Sequence, residues 1–115
     1  MSKNTLKMLG PLVLDVVSAA IKQSYFPPSD QRQFLESCLP LPLPGLITIS
    51  EFHAKNLSVL PGTRSVWFIT QNDPQSVFYD ESSGVFGACW GPDGERGTYD
   101  DLGFRSRDPI EMYSL

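Results

Sequence analysis

The chain has 115 residues, of which 41% are hydrophobic and 19% charged, and its net charge at neutral pH is −4. This length and apolar content are typical of one folded domain over residues 1–115, and they exclude a mainly disordered chain. The acidic balance argues against direct nucleic-acid binding through phosphate neutralisation. Two cysteines are too few for a disulfide-stapled scaffold, and a single histidine excludes a multi-histidine metal site.

Two helices are predicted in the first third of the chain. Residues 11–24 place polar side chains on one helical face and apolar side chains on the rest, and Pro11 is tolerated in a first turn. A second helix is predicted over 30–38, where Asp30 and Gln33 have the spacing of a capping box. Each helix has an apolar side, so we expect both to pack on a sheet.

Residues 1–20 partly resemble a secretory signal, with lysines before an apolar stretch and small residues after it. Asp15 interrupts that stretch, and no apolar run approaches the ~20 residues that span a bilayer. We therefore expect a cytoplasmic protein without a membrane segment. In that compartment Cys38 and Cys89 are expected to be reduced thiols that pack as small hydrophobic side chains.

The segment between the helices and the main group of strands is rich in proline. Prolines alternate with leucines over 40–44, and this favours an extended linker because proline neither continues a helix nor donates to a β-ladder. Residues 46–49 are typical of a strand. Residues 50–58 are compatible with a short helix or with continuation of that strand, and both alternatives stay open.

Short strands and tight turns follow. Residues 65–70 are apolar on both faces, as in a strand that is covered by helices. Strands over 76–80 and 85–90 flank a short loop that ends in glycine, which is a strong hairpin signal.

The end of the chain contains one weaker strand and one short helix. The strand is predicted over 98–104, and Asp108 followed by Pro109 is a suitable start for a helix over 110–115. The predicted fold class is therefore α+β, with two N-terminal helices packed on a four- to five-stranded antiparallel sheet and a short C-terminal helix.

No group of residues identifies a catalytic site. Cys38 or Cys89 together with His53 supplies the parts of a nucleophile and its base, but their spacing is not diagnostic. We therefore predict that the protein is not an enzyme.

The carboxylates of the last third also lack a catalytic or metal-binding pattern. Asp100 and Asp101 are adjacent in a predicted strand, so their side chains are expected on opposite faces. The spacing of Asp93, Glu95 and Asp100 does not match that of a calcium loop. We predict no metal and no cofactor.

The charge is divided unevenly between the two parts of the chain. Residues 1–70 carry six basic and four acidic side chains, a net charge of +2. Residues 71–115 carry nine acidic and three basic side chains, a net charge of −6. Such asymmetry indicates either acidic loops that keep a small domain in solution or an acidic face that binds a basic protein.

An acidic face is the candidate partner-binding site. Strand alternation places turns 71–74 and 92–97 at one end of the sheet and turn 80–84 at the other. Exposed aromatic side chains among carboxylates suit a basic protein partner. The candidate residues are Asp73, Trp90, Asp93, Glu95, Tyr99, Asp100 and Asp101.

The predicted hairpin carries a resemblance to a known family. The runs Val77–Asp80 and Gly84–Gly87 resemble the hairpin of SUKH-like immunity proteins from bacterial toxin systems, and the later residues 99–104 and 108–113 fit the same type of small domain. The family usually has a Leu-Pro step between two helices, and the proline-rich run of this chain departs from that pattern. The resemblance implies a non-enzymatic protein that binds and neutralises a cognate toxin, in many cases a nuclease with a basic cleft.

An immunity or antitoxin-like protein is thus the leading hypothesis, with a basic toxin domain as its partner. Two alternatives stay open. One is a small enzyme or ligand-binding domain with a pocket near His53 and Cys89. The other is a phage-encoded inhibitor that imitates nucleic acid.

Overall fold

The computed structural model describes residues 7–92 and 97–115. Their elements are, in chain order, α1 (Gly10–Lys22), α2 (Pro28–Ser37), β1 (Cys38–Ile49), α3 (Glu51–Leu57), β2 (Gly62–Thr70), β3 (Gln75–Asp80), β4 (Val85–Trp90), β5 (Tyr99–Ser106) and α4 (Pro109–Tyr113). The predicted α+β class is confirmed, with two N-terminal helices before the strands and a short helix after them.

The strands close into a barrel in the order β1-β2-β3-β4-β5. Each strand is antiparallel to its neighbour along the chain. β5 then returns to β1 in parallel, with Ile47 opposite Tyr99 and Thr48 opposite Asp100. The junction has to be parallel, because the first and last strands of a five-stranded meander run in the same direction. An antiparallel sheet was expected from the sequence, and its closure was not.

The barrel separates two hydrophobic cores. β2 contributes to both, because its side chains alternate between the interior and the outer face. This confirms the prediction that residues 65–70 are buried on both sides. The inner core consists of Ile47, Ile49, Ala54, Val66, Phe68, Phe78, Cys89 and Tyr99. The outer core, under the helices, consists of Val13, Val17, Ile21, Phe34, Trp67, Ile69, Val77, Tyr79, Phe86, Ala88, Ile110 and Met112.

Residues 50–58, for which two alternatives were open, contain helix α3. Ser50 caps the helix, and its Oγ accepts a hydrogen bond of 3.2 Å from the backbone N–H of His53. Ala54 is buried in the inner core. α3 therefore follows directly from β1 and is fixed to the barrel by its apolar side.

The other helix starts differ in how far they follow the prediction. Asp108 caps α4, and its Oδ1 accepts a 3.0 Å hydrogen bond from the N–H of Ile110, as predicted. The capping box of Asp30 with Gln33 was wrong, because α2 already begins at Pro28 without a side-chain cap.

No helix in the described part of the chain is long and apolar enough to cross a membrane.

The proline-rich run 40–44 is part of β1, so the expectation of a separate linker was wrong. Pro44 lies opposite Trp67 on β2, and the register is irregular between Cys38 and Leu43. Among the described residues, pairing of β1 with β5 is confined to its last part. This run therefore forms an edge, where proline is tolerated because an N–H directed away from the ladder has no bond to make.

Gly45 makes room for an inner-core side chain. A Cβ at this position would lie 1.9 Å from Cε2 of Phe68. We expect Gly45→Ala to destabilise the protein by about 1–3 kcal/mol, because the ring and backbone must move apart in a packed core. Urea denaturation measures this change. Gly10→Ala is the control, since its Cβ would meet the flexible Leu41 side chain at 3.2 Å and the Pro42 carbonyl oxygen at 3.4 Å, which requires only a small shift. Equal stability of the two variants would contradict the packing argument.

Candidate functional site

A row of polar and aromatic side chains crosses the outer wall of the barrel where β5 joins its two neighbours. Thr48 lies opposite Asp100 in the parallel pair, and Asp100 lies opposite Trp90 in the antiparallel pair. Thr48 lies between Ile47 and Ile49 of the inner core, and Tyr99 and Cys89, which precede Asp100 and Trp90, also belong to that core. Alternation along the strands therefore makes these three face outward. Trp90 is 50% exposed, and Asp100 is also exposed. An indole and a carboxylate therefore stand side by side on the surface.

This row borders a groove of about 470 Å³. Its other walls come from the end of β1, from α3 and from β5. Helix α3 supplies His53, which sequence reasoning had paired with Cys89 instead. No lysine or arginine is among the described residues that line the groove, which are Thr48, Ser50, His53, Trp90, Asp100, Asp101 and Leu102.

A bulge in β5 makes room for the side chain of His53. The register between β4 and β5 shifts between Gly87 and Cys89, and within the bulge Gly103 adopts φ +83°. A Cβ on Gly103 would lie 2.3 Å from Nδ1 of His53. Glycine therefore satisfies both the backbone conformation and the close approach of the imidazole.

The two adjacent aspartates have different environments. Asp101 accepts hydrogen bonds from the N–H of Gly103 at 2.8 Å and from Nη1 of Arg105 at 2.9 Å, and its side chain is fully buried. The Arg105 guanidinium lies 5.0 Å from the centre of the Phe78 ring. The side chain of Asp100 points outward, and its carboxylate has no ion-pair partner among the described residues. The prediction that the two aspartates face opposite sides is confirmed, and of the two only Asp100 has an exposed carboxylate.

Tyr99 is buried, so the expectation of an exposed aromatic side chain was wrong at this position. It is 5% exposed, and its ring packs against Phe68 with the ring centres 4.7 Å apart. Its hydroxyl donates a 2.6 Å hydrogen bond to Oδ1 of Asp73 and accepts one from Gln71. Burial, and then the hydrogen bond to the Asp73 carboxylate, raise the pKa of Tyr99. Tyr99 thus positions Asp73 from within the barrel.

The turn that carries Asp73 lies beside the end of β4. The N–H of Gly91 donates a 2.7 Å hydrogen bond to the carbonyl of Pro74, and the peptide bonds before Pro74 and Pro92 are both cis. The predicted grouping of these turns at one end of the sheet holds for the described residues. Asp93 and Glu95 lie outside them.

The remaining acidic residues do not form one continuous face with this site. Asp80 pairs with Arg64 at 3.0 Å, and Glu81 accepts hydrogen bonds from the first described backbone N–H groups, at Lys7 and Met8. Besides Asp73, the carboxylates that accept hydrogen bonds within the fold are those of Asp80, Glu81, Asp101, Asp108 and Glu111. The net charge of the C-terminal half therefore overstates the charge available to a partner.

The thiols are not brought together with the histidine. Cys89 belongs to the inner core, and burial raises its pKa above the ordinary range for a thiol. Cys38 is partly buried, and burial raises its pKa to about 11. Neither cysteine lines the groove that contains His53. In the described part of the chain, no three His, Cys, Asp or Glu side chains are grouped for metal binding.

Comparisons of the chain with protein-family models, with curated proteins and with solved structures found no match.

The environments of Asp101 and Asp100 predict that the same substitution destabilises the protein at one position and has little effect on stability at the other. Asp101→Ala leaves the partly buried Arg105 guanidinium without its carboxylate and opens the bulge, so we expect a loss of about 3 kcal/mol in the free energy of unfolding. Asp100→Ala removes an exposed group and should change stability by less than about 0.5 kcal/mol. Urea denaturation of both variants measures the difference. Similar losses for both would contradict the assignment of Asp101 as the structural aspartate.

The thiol environments predict low reactivity. At pH 8 both thiols should be protonated in the folded protein, because both pKa values are raised by burial. We expect alkylation by iodoacetamide to be about 100-fold slower than in urea, where thiols have ordinary pKa values near 8.5. Mass spectrometry of time points identifies each site. Rapid modification of Cys89 in the folded protein would instead indicate an activated nucleophile.

Proposed function

We propose that the protein is a non-enzymatic immunity or antitoxin-like protein, which neutralises a cognate toxin by covering a basic surface of that toxin. The binding face is the part of the barrel that carries Trp90, Asp100 and Asp73. The observation that carries this proposal is the half-exposed indole of Trp90 at the border of a groove. The indole lies directly opposite the exposed carboxylate of Asp100, which has no ion-pair partner among the described residues.

An exposed tryptophan is suited to anchor a protein interface. Tryptophan is enriched among the residues that dominate binding energy, because its large ring loses much contact with water when a partner covers it. The other tryptophan, Trp67, is 7% exposed and packs in the outer core. Trp90 is thus the one of the two that is available for contact.

The nearby carboxylates favour a basic partner. Asp100 and Asp73 lie on the same part of the barrel as Trp90, linked to it through the β4–β5 pair and through the contact of Pro74 with Gly91. Complementary charge of this kind increases the association rate and discriminates against other partners. A nuclease toxin with a basic substrate cleft fits this requirement, as the resemblance to SUKH-like immunity proteins also implies.

The two alternatives have less support. A Cys89–His53 enzyme requires a reactive thiol beside the imidazole, whereas Cys89 is buried with a raised pKa. An inhibitor that imitates nucleic acid requires a regular array of free carboxylates. Most of the described carboxylates in the C-terminal half are engaged in intramolecular contacts.

Affinity capture with matched variants tests the proposal. The wild-type protein, the variant Trp90→Ala with Asp100→Asn, and the control Asp15→Asn with Leu60→Ala are immobilised and exposed to lysate of the source organism at low and moderate salt. We expect the wild type and the control to retain the same basic protein. The Trp90/Asp100 variant should retain about tenfold less or lose it.

The captured protein is then tested for toxicity. Its expression alone should arrest growth, and co-expression of the wild-type chain should restore growth more effectively than co-expression of the Trp90/Asp100 variant. The proposal is overturned if no basic protein is retained at either salt concentration, if the variant and the control capture equally well, or if the captured protein is harmless.

A further inference from the structure

We infer that the groove beside Trp90 binds an arginine side chain of the partner protein, with the guanidinium against the indole and hydrogen-bonded to Asp100. This inference rests on the proposed function only for the source of the arginine. The groove itself makes a separate chemical prediction, because it should distinguish guanidinium from other side chains in the absence of any partner.

The charge of the groove favours a cationic occupant. Asp100 presents an exposed carboxylate for which the described residues offer no cation. Asp101, the other acidic residue in the lining, is already neutralised by Arg105 on the inner side. Among its described residues the groove therefore has one exposed negative charge, which a single cationic side chain complements.

Strand β5 already holds such an arrangement on its inner side. There Arg105 bonds to Asp101 while its guanidinium lies 5.0 Å from the centre of the Phe78 ring. On the outer side, Asp100 and the Trp90 ring supply the same carboxylate and aromatic ring. No described residue supplies a guanidinium there. An arginine of the partner would thus make, outside the barrel, the contacts with a carboxylate and an aromatic ring that Arg105 makes inside.

The aromatic ring and the hydrogen-bond acceptors of the groove discriminate between cationic side chains. A guanidinium is planar, stacks on an indole and has several N–H donors in fixed directions, whereas an ammonium is a strongly hydrated point charge. Besides Asp100, the lining contains acceptors in the hydroxyls of Thr48 and Ser50. Ser50 Oγ already accepts from the N–H of His53, which fixes its position. These groups favour arginine over lysine.

The experiment uses three blocked tripeptides with a central arginine, lysine or citrulline between glycines. Citrulline keeps the planar shape and loses the charge. Binding to the ¹⁵N-labelled wild-type protein is followed by chemical-shift changes at low ionic strength. We expect the arginine peptide to bind with a Kd in the millimolar range and to shift the resonances of Trp90, Asp100 and His53. Lysine and citrulline peptides should bind at least about fivefold more weakly.

Variants locate the site. Trp90→Ala and Asp100→Asn should each weaken arginine-peptide binding at least about fivefold, while Asp15→Asn on α1 leaves it unchanged. The inference is overturned if the arginine peptide causes no saturable shifts, if lysine or citrulline binds equally well, or if the shifts lie elsewhere. Capture of a toxin that depends on Trp90 would then still support the proposed function, so the two failures are distinguishable.

Discussion

The parallel pairing of β5 with β1 is the constraint on which the rest of the structure depends. It sets Thr48 beside Asp100, closes the inner core, and brings α3 against the bulge of β5. Without this junction the sheet would have two open edges, and His53 would have no wall opposite it. The groove is therefore a consequence of closure, since its lining comes from β1, α3, β4 and β5.

Strand β5 carries one buried carboxylate that stabilises the fold and one exposed carboxylate. Asp101 bonds to the bulge and to Arg105 inside the barrel, and this contact fixes the position of Gly103 against His53. Asp100, one residue earlier, lies on the outer wall. Because alternation puts them on opposite faces, one carboxylate stabilises the fold while the other is exposed on the surface, where we propose that it contacts the partner. The site thus combines a rigid support with an exposed aromatic and acidic surface.

The acidic residues of the C-terminal half are likewise divided between contacts within the fold and the proposed binding face. Most of the described carboxylates in the C-terminal half accept hydrogen bonds within the fold, and two of them, Asp80 and Asp101, pair with arginines. Those at the proposed binding face are Asp73 and Asp100, and Tyr99 holds the first of them from within the barrel. A small number of placed charges next to Trp90 is better suited to selecting a partner than a diffuse acidic surface, because it requires complementary geometry as well as opposite charge.

The sequence by itself determined the α+β class, the hairpin of β3 with β4, the burial of 65–70 on both faces and the opposite directions of Asp100 and Asp101. These features follow from local periodicity and turn residues. The tertiary structure alone decided the closure of the barrel, the incorporation of the proline-rich run into β1, the burial of Tyr99 and the groove around His53. Each of these depends on which distant segments become neighbours. Pairing of β1 with β5 joins segments that are far apart in the chain, and such contacts leave no periodic signal in either one.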